Sequence, residues 1–278
     1  MDIRTMAYEK LEHAAVRAAL FCPRADWNPP PAGVFDREVE VEGGVRLPLR
    51  YHLGTADPGA VNILFFHGNG EVAADYDELA PSFNQAGLNL VVAEYRGYGR
   101  AGGQPTVRSM IGDAHQLLPR VRETLRQEGK TGHLAVMGRS LGSVAAIDLA
   151  AAAGPGLVDG LIIESGFAHT IPLLLALGVD VGSCGLTSEA DGFCNVQKIG
   201  FFTKPTYILH AQHDQLIPVT LAEALQASCG AQSKEFQIVP GADHNNIIDR
   251  VGQLYFEAIA RFCRKLGQPP RRKKPGVR

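Results

Sequence analysis

Residues 133–149 read HLAVMGRSLGSVAAIDL, and this stretch decides the fold. An apolar run, HLAVM, ends at Gly138-Arg139-Ser140-Leu141-Gly142. A helical pattern (Val144, Ala145, Ile147, Leu149) opens directly afterwards and stops at Gly154-Pro155. A serine presented on a tight strand-to-helix turn puts side chains two residues to either side in collision with the neighbouring strand and helix. Glycine at both places removes that collision. A strand before and a helix after lift a common pentapeptide above a packing turn with an inert serine, and mark Ser140 as a nucleophile.

Working outward, short apolar runs recur at 61–66 (VNILFF), 88–93 (LNLVVA), 133–137, 157–163 (LVDGLII), 205–209 (PTYIL) and 235–239 (EFQIV), and they read as buried strands. Helical periods separate them. One face carries Val107, Met110, Ile111, Ala114, Leu117, Leu118, Val121 and Leu125. The last carries Ile247, Ile248, Val251, Leu254, Tyr255, Ala258, Ile259 and Phe262. Strands alternating with helices pair in parallel and have both sheet faces covered. Residues 36–53 read instead as a hairpin: Val39 and Val41 alternate with acids, Gly43-Gly44 turns, and Val45, Leu47 and Leu49 return. The expected architecture is an α/β fold with a mostly parallel, twisted sheet of about eight strands and helices on both faces.

The ends and one interval depart from that rhythm. An N-terminal helix and linker are expected over 1–35, with Leu11, Ala15 and Ala18 at helical spacing and Pro23 and Pro29-Pro30-Pro31 ending it. The main domain is expected over 36–266. Within it, 166–203 begins apolar (Ile171, Leu173, Leu174, Leu175) and turns Gly-rich and polar, reading as a small lid or excursion over the sheet edge. Residues 267–278 form a basic tail broken by prolines, expected to be disordered.

Composition narrows the class. Apolar residues make up 45% and charged residues 20%, the balance of a globular chain, and a net charge of −2 excludes a general electrostatic partnership with nucleic acid. Five cysteines without CxxC spacing indicate neither a zinc site nor a disulfide framework, and read as free buried thiols in a reducing compartment. No signal peptide and no integral membrane segment are read, since the longest apolar stretch, between Glu164 and Asp180, is broken by Pro172. The expected location is cytoplasmic.

A serine hydroxyl needs a base to take its proton. His244, in Gly241-Ala242-Asp243-His244-Asn245, follows the last strand at the carboxyl edge of the sheet, where the Ser140 turn also emerges. His115 falls in a helix and His52 and His133 in strands or strand starts, while His210 and His213 are nearer rivals. Asp214, in His213-Asp214-Gln215-Leu216-Ile217-Pro218, follows its own strand and precedes a helix that Pro218 can start. A carboxylate there can hold the imidazole in the tautomer whose other nitrogen faces serine. Asp243 is adjacent to the base but is expected to point away from it. Backbone N–H groups of Leu141 and Asn69, with Gly68 as the near alternative, are the candidates for an oxyanion hole.

The order Ser140, Asp214, His244 is that of the α/β-hydrolase fold. The chain resembles the Bem46-like branch of the α/β-hydrolases, a group of protein depalmitoylases and bacterial esterases. The resemblance rests on FFHGNG (65–70), EYRGYG (94–99), GRSLGS (138–143), HAQHDQLIP (210–218) and GADHN (241–245), in family order over roughly 36–263. It implies a serine hydrolase acting on a small-molecule ester or thioester, with catalytic Ser140, Asp214 and His244, oxyanion donors Leu141 and Asn69, and no metal or organic cofactor. Segment 180–200 follows no family pattern. Phe167, Ile171, Leu174, Phe193 and Phe201, with Tyr95 at the mouth, are the substrate-pocket candidates. Two other readings stand beside this one: a non-catalytic ligand-binding protein on the same fold, and a dinucleotide-dependent oxidoreductase using Gly68–Ala73 (GNGEVA) as a GxGxxA loop with Glu94 as the ribose acid.

Overall fold

The structure, a computed structural model, describes residues 8–154 and 156–268. In chain order the elements are α1 (Ala14–Leu20), β1 (Phe35–Val41), β2 (Val45–His52), β3 (Val61–Phe66), α2 (Ala80–Gln85), β4 (Leu88–Ala93), α3 (Val107–Gln127), β5 (Leu134–Arg139), α4 (Gly142–Ala152), β6 (Gly160–Glu164), α5 (Thr170–Ala176), α6 (Asn195–Phe201), β7 (Thr206–Ala211), α7 (Val219–Ser228), β8 (Lys234–Val239), α8 (Ile247–Val251) and α9 (Gln253–Cys263). The eight strands form one sheet in the order β1-β2-β4-β3-β5-β6-β7-β8. The β1–β2 and β2–β4 pairs are antiparallel and the rest parallel, so a hairpin leads into a parallel sheet. This is the α/β-hydrolase arrangement.

The pleat explains why the inner strands are mostly apolar on both faces. Successive side chains point to opposite faces, and here both faces carry helices. Leu64 and Phe66 of β3, Val136 of β5 and Ile163 of β6 pack into the cluster that holds α3, α4 and α7. Ile63 and Phe65, Met137 and Ile162 pack into the other cluster, against Phe83 of α2 and Tyr255, Ile259 and Phe262 of α9. Central β5 is flanked on both sides, so its carboxyl end lies at mid-sheet.

Local sequence accounts for the long α3. Thr106 accepts from Ser109 N–H as its N-cap, and all eight expected face residues are buried. Pro119 lies inside this helix without ending it. Elsewhere the expectations need correction. The final helix is two: Gly252, at φ +54°, separates α8 from α9, and Leu254 is 65% exposed. At the N-terminus a 3-10 turn (Glu9–Glu12) precedes α1. The buried residues there are Leu11, Val16 and Leu20, whereas Ala15 and Ala18 are exposed. Four cysteines are buried as free thiols, but Cys22 is exposed. The expected basic tail lies, from residue 269 onward, outside the described residues. Among the described residues no helix is long and apolar enough to cross a membrane.

Between β6 and β7 the chain makes its excursion through α5 and α6. Its anchor is Lys198, wholly buried, whose ammonium meets Asp148 Oδ2 of α4 at 2.7 Å and the Tyr8 hydroxyl at 2.6 Å. Asp148 Oδ1 also meets His115 Nε2 of α3 at 2.7 Å. Burial drives the Asp148 carboxyl up, but its bond to His115 and the Lys198 charge outweigh that and hold its pKa below the ordinary value.

Candidate active site

Ser140 sits on the turn from β5 to α4 in a left-handed conformation, φ +51°. A side chain with φ > 0 is strained, and this turn is locked from both sides. A Cβ on Gly138 would run into the Gly142 carbonyl, and one on Gly142 into those of Phe66 and His67. Ser140 N–H donates to Glu164 O at 2.8 Å, tying the turn to the end of β6.

Three loops from distant parts of the chain meet here. His244 Nε2 lies 3.0 Å from Ser140 Oγ, and His244 Nδ1 lies 2.6 Å from Asp214 Oδ2. The Asp214 carboxylate is wholly buried. Its other oxygen, Oδ1, accepts from Leu216 N–H at 3.0 Å and Ile217 N–H at 2.7 Å. This aspartate turn fixes the carboxylate before α7 begins. The histidine loop is braced as well: His213 N–H donates to Ala242 O, and Arg250 reaches Gly241 O.

The rival residues have other employment. His210 is buried, and its Nε2 donates to Ile217 O at 2.8 Å while lying 3.4 Å from Asp214 Oδ2; burial lowers its pKa and keeps the ring neutral. His213 is exposed. Asp243 accepts from Asn245 N–H and Asn246 Nδ2 within its own loop.

The loop after β3 is held at every residue. His67 is fully buried with Nδ1 2.9 Å from Gly68 O and Nε2 3.1 Å from Glu94 Oε2. Burial works against the charged ring, but the Glu94 carboxylate outweighs it and raises the His67 pKa. Tyr95 OH donates to His67 O at 2.8 Å. Gly68 N–H donates to Glu71 Oε2 at 2.7 Å, so it is already engaged. The Asn69 side-chain oxygen accepts from Cys22 N–H at 2.6 Å and Tyr98 OH at 2.8 Å. Among the described residues, the backbone N–H groups of Asn69 and Leu141 donate to no protein acceptor.

The expected pocket residues differ in their exposure. Phe167, Leu174 and Phe193 are fully buried, and the two phenylalanines pack edge-on at 5.8 Å. Phe201 is 55% exposed, Ile171 is half-buried on α5, and Tyr95 is a buried brace. The neighbouring Arg96 is clamped by Asp113 at 2.7 Å. A cavity of ≈ 180 Å³ lies on the α2–α9 side, walled by residues that include Phe65, Glu71, Arg139, Glu164 and Asn245. Its walls adjoin Ser140 and His244 in sequence but do not include them. Arg139, Glu71 and Glu164 escaped sequence reasoning, because their mutual contacts span 25 to 68 residues and leave no local pattern.

A dinucleotide loop does not fit this geometry. The Glu94 carboxylate is taken by His67 and by Ala73 N–H at 2.7 Å. A 3-10 turn, Ala73–Tyr76, follows the glycines where a phosphate-binding helix would start. Among the described residues no group of three or more His, Cys, Asp or Glu could hold a metal ion.

Comparison with known proteins places these features in company. Residues 58–177 match the family model described as serine aminopeptidase, S33. An uncharacterized protein of Mycobacterium tuberculosis is 28% identical over 244 residues, 84% of this chain and 79% of that protein. Alpha/beta hydrolase domain-containing protein 17B of Homo sapiens is 31% identical over 206 residues, 72% of this chain and 65% of that one, slightly under two thirds of its length. An esterase of Pyrococcus furiosus superposes with TM-score 0.69 at 15% identity, covering 88% of this chain and 98% of its own. A soluble variant of monoglyceride lipase from Saccharomyces cerevisiae, solved with a substrate analog, gives TM-score 0.63 at 16% identity, covering 89% and 98%. At such identities the structural likeness is one of fold.

Proposed function

The chain belongs to the α/β-hydrolase superfamily, and we propose that it is a serine hydrolase cleaving carboxylic esters or thioesters through an acyl-enzyme on Ser140. The observation that carries this reading is the chain of contacts from Asp214 through His244 to Ser140, at 2.6 and 3.0 Å. A binding protein has no use for a buried carboxylate aligned behind an imidazole that faces a serine hydroxyl. The esterase and lipase among its fold relatives favour an ester carbonyl as the electrophile.

Ser140 Oγ attacks the acyl carbonyl while His244 Nε2 takes its proton. Asp214 holds Nδ1–H and stabilises the imidazolium that forms. The oxyanion is received by the N–H groups of Leu141 and Asn69, each worth about 3–4 kcal/mol in the transition state. His244 then gives its proton to the leaving oxygen or sulfur. Water, activated by the same imidazole, releases the acid and restores Ser140. The backbone brackets this chemistry: the φ +51° turn presents Oγ, and the Tyr98 and Cys22 bonds to the Asn69 side chain orient the second donor.

The test is covalent labelling with a fluorophosphonate probe, followed by p-nitrophenyl esters and acyl thioesters of increasing chain length. The native chain is expected to label and to hydrolyse part of the panel, and Ser140→Ala to do neither. A native chain that is folded yet unlabelled and inert across the panel would overturn the proposal.

A further inference from the structure

Arg139 stands at the variable position of the GxSxG turn, and nothing in a nucleophile turn requires an arginine there. Its side chain is 14% exposed and uses all three nitrogens. Nε donates to Glu164 Oε1 of β6 at 3.2 Å and Nη1 to Glu71 Oε1. Nη2 donates to the backbone oxygen of His244 at 2.9 Å and to Asn245 Oδ1 at 3.1 Å. Glu71 in turn uses its second oxygen on Gly68 N–H at 2.7 Å and on Tyr76 OH at 2.6 Å. Tyr255 OH of α9 caps Glu164 Oε2. The contact with the β3 loop is close: a Cβ on Gly68 would stand 2.9 Å from Arg139 Nη1.

One planar guanidinium thereby joins the turn that presents Ser140, the loop that carries Asn69 and Glu71, and the loop that carries His244. We infer that Arg139 is a positioning residue, setting the oxyanion loop through Glu71 and the His244 main chain directly. This rests on the serine-hydrolase reading and deepens it. The fixed fork matters more than the charge, because its N–H groups diverge in one plane to four acceptors on three separate chain segments. An ammonium at the same place has neither the reach nor the geometry to hold all of them. Burial opposes the Arg139 charge, but Glu164 and Glu71 outweigh it and raise the guanidinium pKa, so the brace is charged at every working pH. The groups it holds act on developing transition-state charge, so their misplacement lowers kcat and leaves KM in place. A shift of about 1 Å in such a constellation can remove about 10²-fold in rate.

The experiment compares native protein with Arg139→Lys and Glu71→Gln, each scored as kcat per active site titrated with a fluorophosphonate. Arg139→Lys keeps a cation for both glutamates and so protects the fold, and circular dichroism and Tm establish that it is folded. The expected result is a kcat about 10- to 100-fold lower with KM changed less than threefold, and a parallel fall in the labelling rate constant. Glu71→Gln keeps the native size and severs the charged link, and a smaller loss of the same kind is expected. The double variant should lose less than the product of the two single losses, because both act along one path. A native enzyme that turns over esters while Arg139→Lys retains native kcat per titrated site, with only Tm lowered, overturns this inference. A native chain that neither labels nor turns over overturns the hydrolase reading instead.

Discussion

Replacing Asp214 by asparagine exchanges one oxygen for an NH₂, and the surroundings dictate which end receives it. Oδ1 accepts two backbone N–H groups, from Leu216 at 3.0 Å and Ile217 at 2.7 Å. An NH₂ in that place would set donors against donors, so the amide oxygen stays there and the NH₂ takes the position 2.6 Å from His244 Nδ1. Nδ1 must then accept, and the ring proton moves to Nε2, which faces Ser140 Oγ at 3.0 Å. The base that should receive the serine proton already carries one. A serine protease given the same substitution keeps its geometry and loses about 10⁴ in kcat. At about 1.36 kcal/mol per decade, this is about 5.5 kcal/mol of transition-state stabilisation. The assay is kcat on the best p-nitrophenyl ester, with Tm measured alongside to show an intact fold. Asp243→Asn is the control: among the described residues its carboxylate serves only Asn245 and Asn246, and a change within about threefold is expected, as for substitutions away from special features. An Asp214→Asn enzyme with more than a tenth of native kcat, or an Asp243→Asn enzyme that loses more, refutes the reasoning.

Two further outcomes follow from burial. His52 is 2% exposed beside Arg50, and burial followed by that charge lowers its pKa to about 4 from 6.5. Between those values the unfolded chain binds a proton that the folded chain refuses. Stability therefore falls as pH drops from 6.5 towards 4, by at most about 3 kcal/mol, and this contribution levels off below. Urea titrations across that range should show a shallower slope for His52→Gln, and an equal slope would assign the acid loss to other groups. The glycines of α3 and the nucleophile turn respond in opposite directions. Gly112, exposed with open space where a Cβ would go, should gain about 0.5–1 kcal/mol on change to alanine. Gly142→Ala, driven into the Phe66 and His67 carbonyls, should lose about 1–3 kcal/mol and its probe labelling. Denaturation midpoints decide both, and a shared sign would contradict the packing described.

Much of the fold is legible because its signals are local. β3 and β4 fall on the residues that read as strands, since each is a short run, apolar but for one asparagine, between helical or turn segments. The face of α3 survives Pro119 because the apolar period continues through it. Gly252 was no such signal: the apolar pattern runs across it from Ile247 to Phe262, and only its left-handed turn divides α8 from α9. The approach of Ser140, Asp214 and His244 is foreshadowed by strand-end placement, which puts all three loops at one sheet edge. A substrate wall is not legible in the sequence for a different reason. A phenylalanine that suits a substrate wall suits a core equally, and Phe167 and Phe193 turn to each other rather than to solvent. Arg139 lies in plain view within the motif, but its partners at Glu71 and Glu164 become neighbours only when the sheet forms.

Lys198 limits how the molecule can breathe. Pulling α6 from α4 would strand an ammonium and a carboxylate that now lie 2.7 Å apart with 0% and 5% side-chain exposure. Severing such a pair costs about 3–5 kcal/mol, which leaves a detached form in roughly one molecule in 10² to 10⁴. A swinging door would stand open far more often. The excursion between β6 and β7 is thus held on α4 as a stationary part of the body, and it moves with the sheet rather than against it.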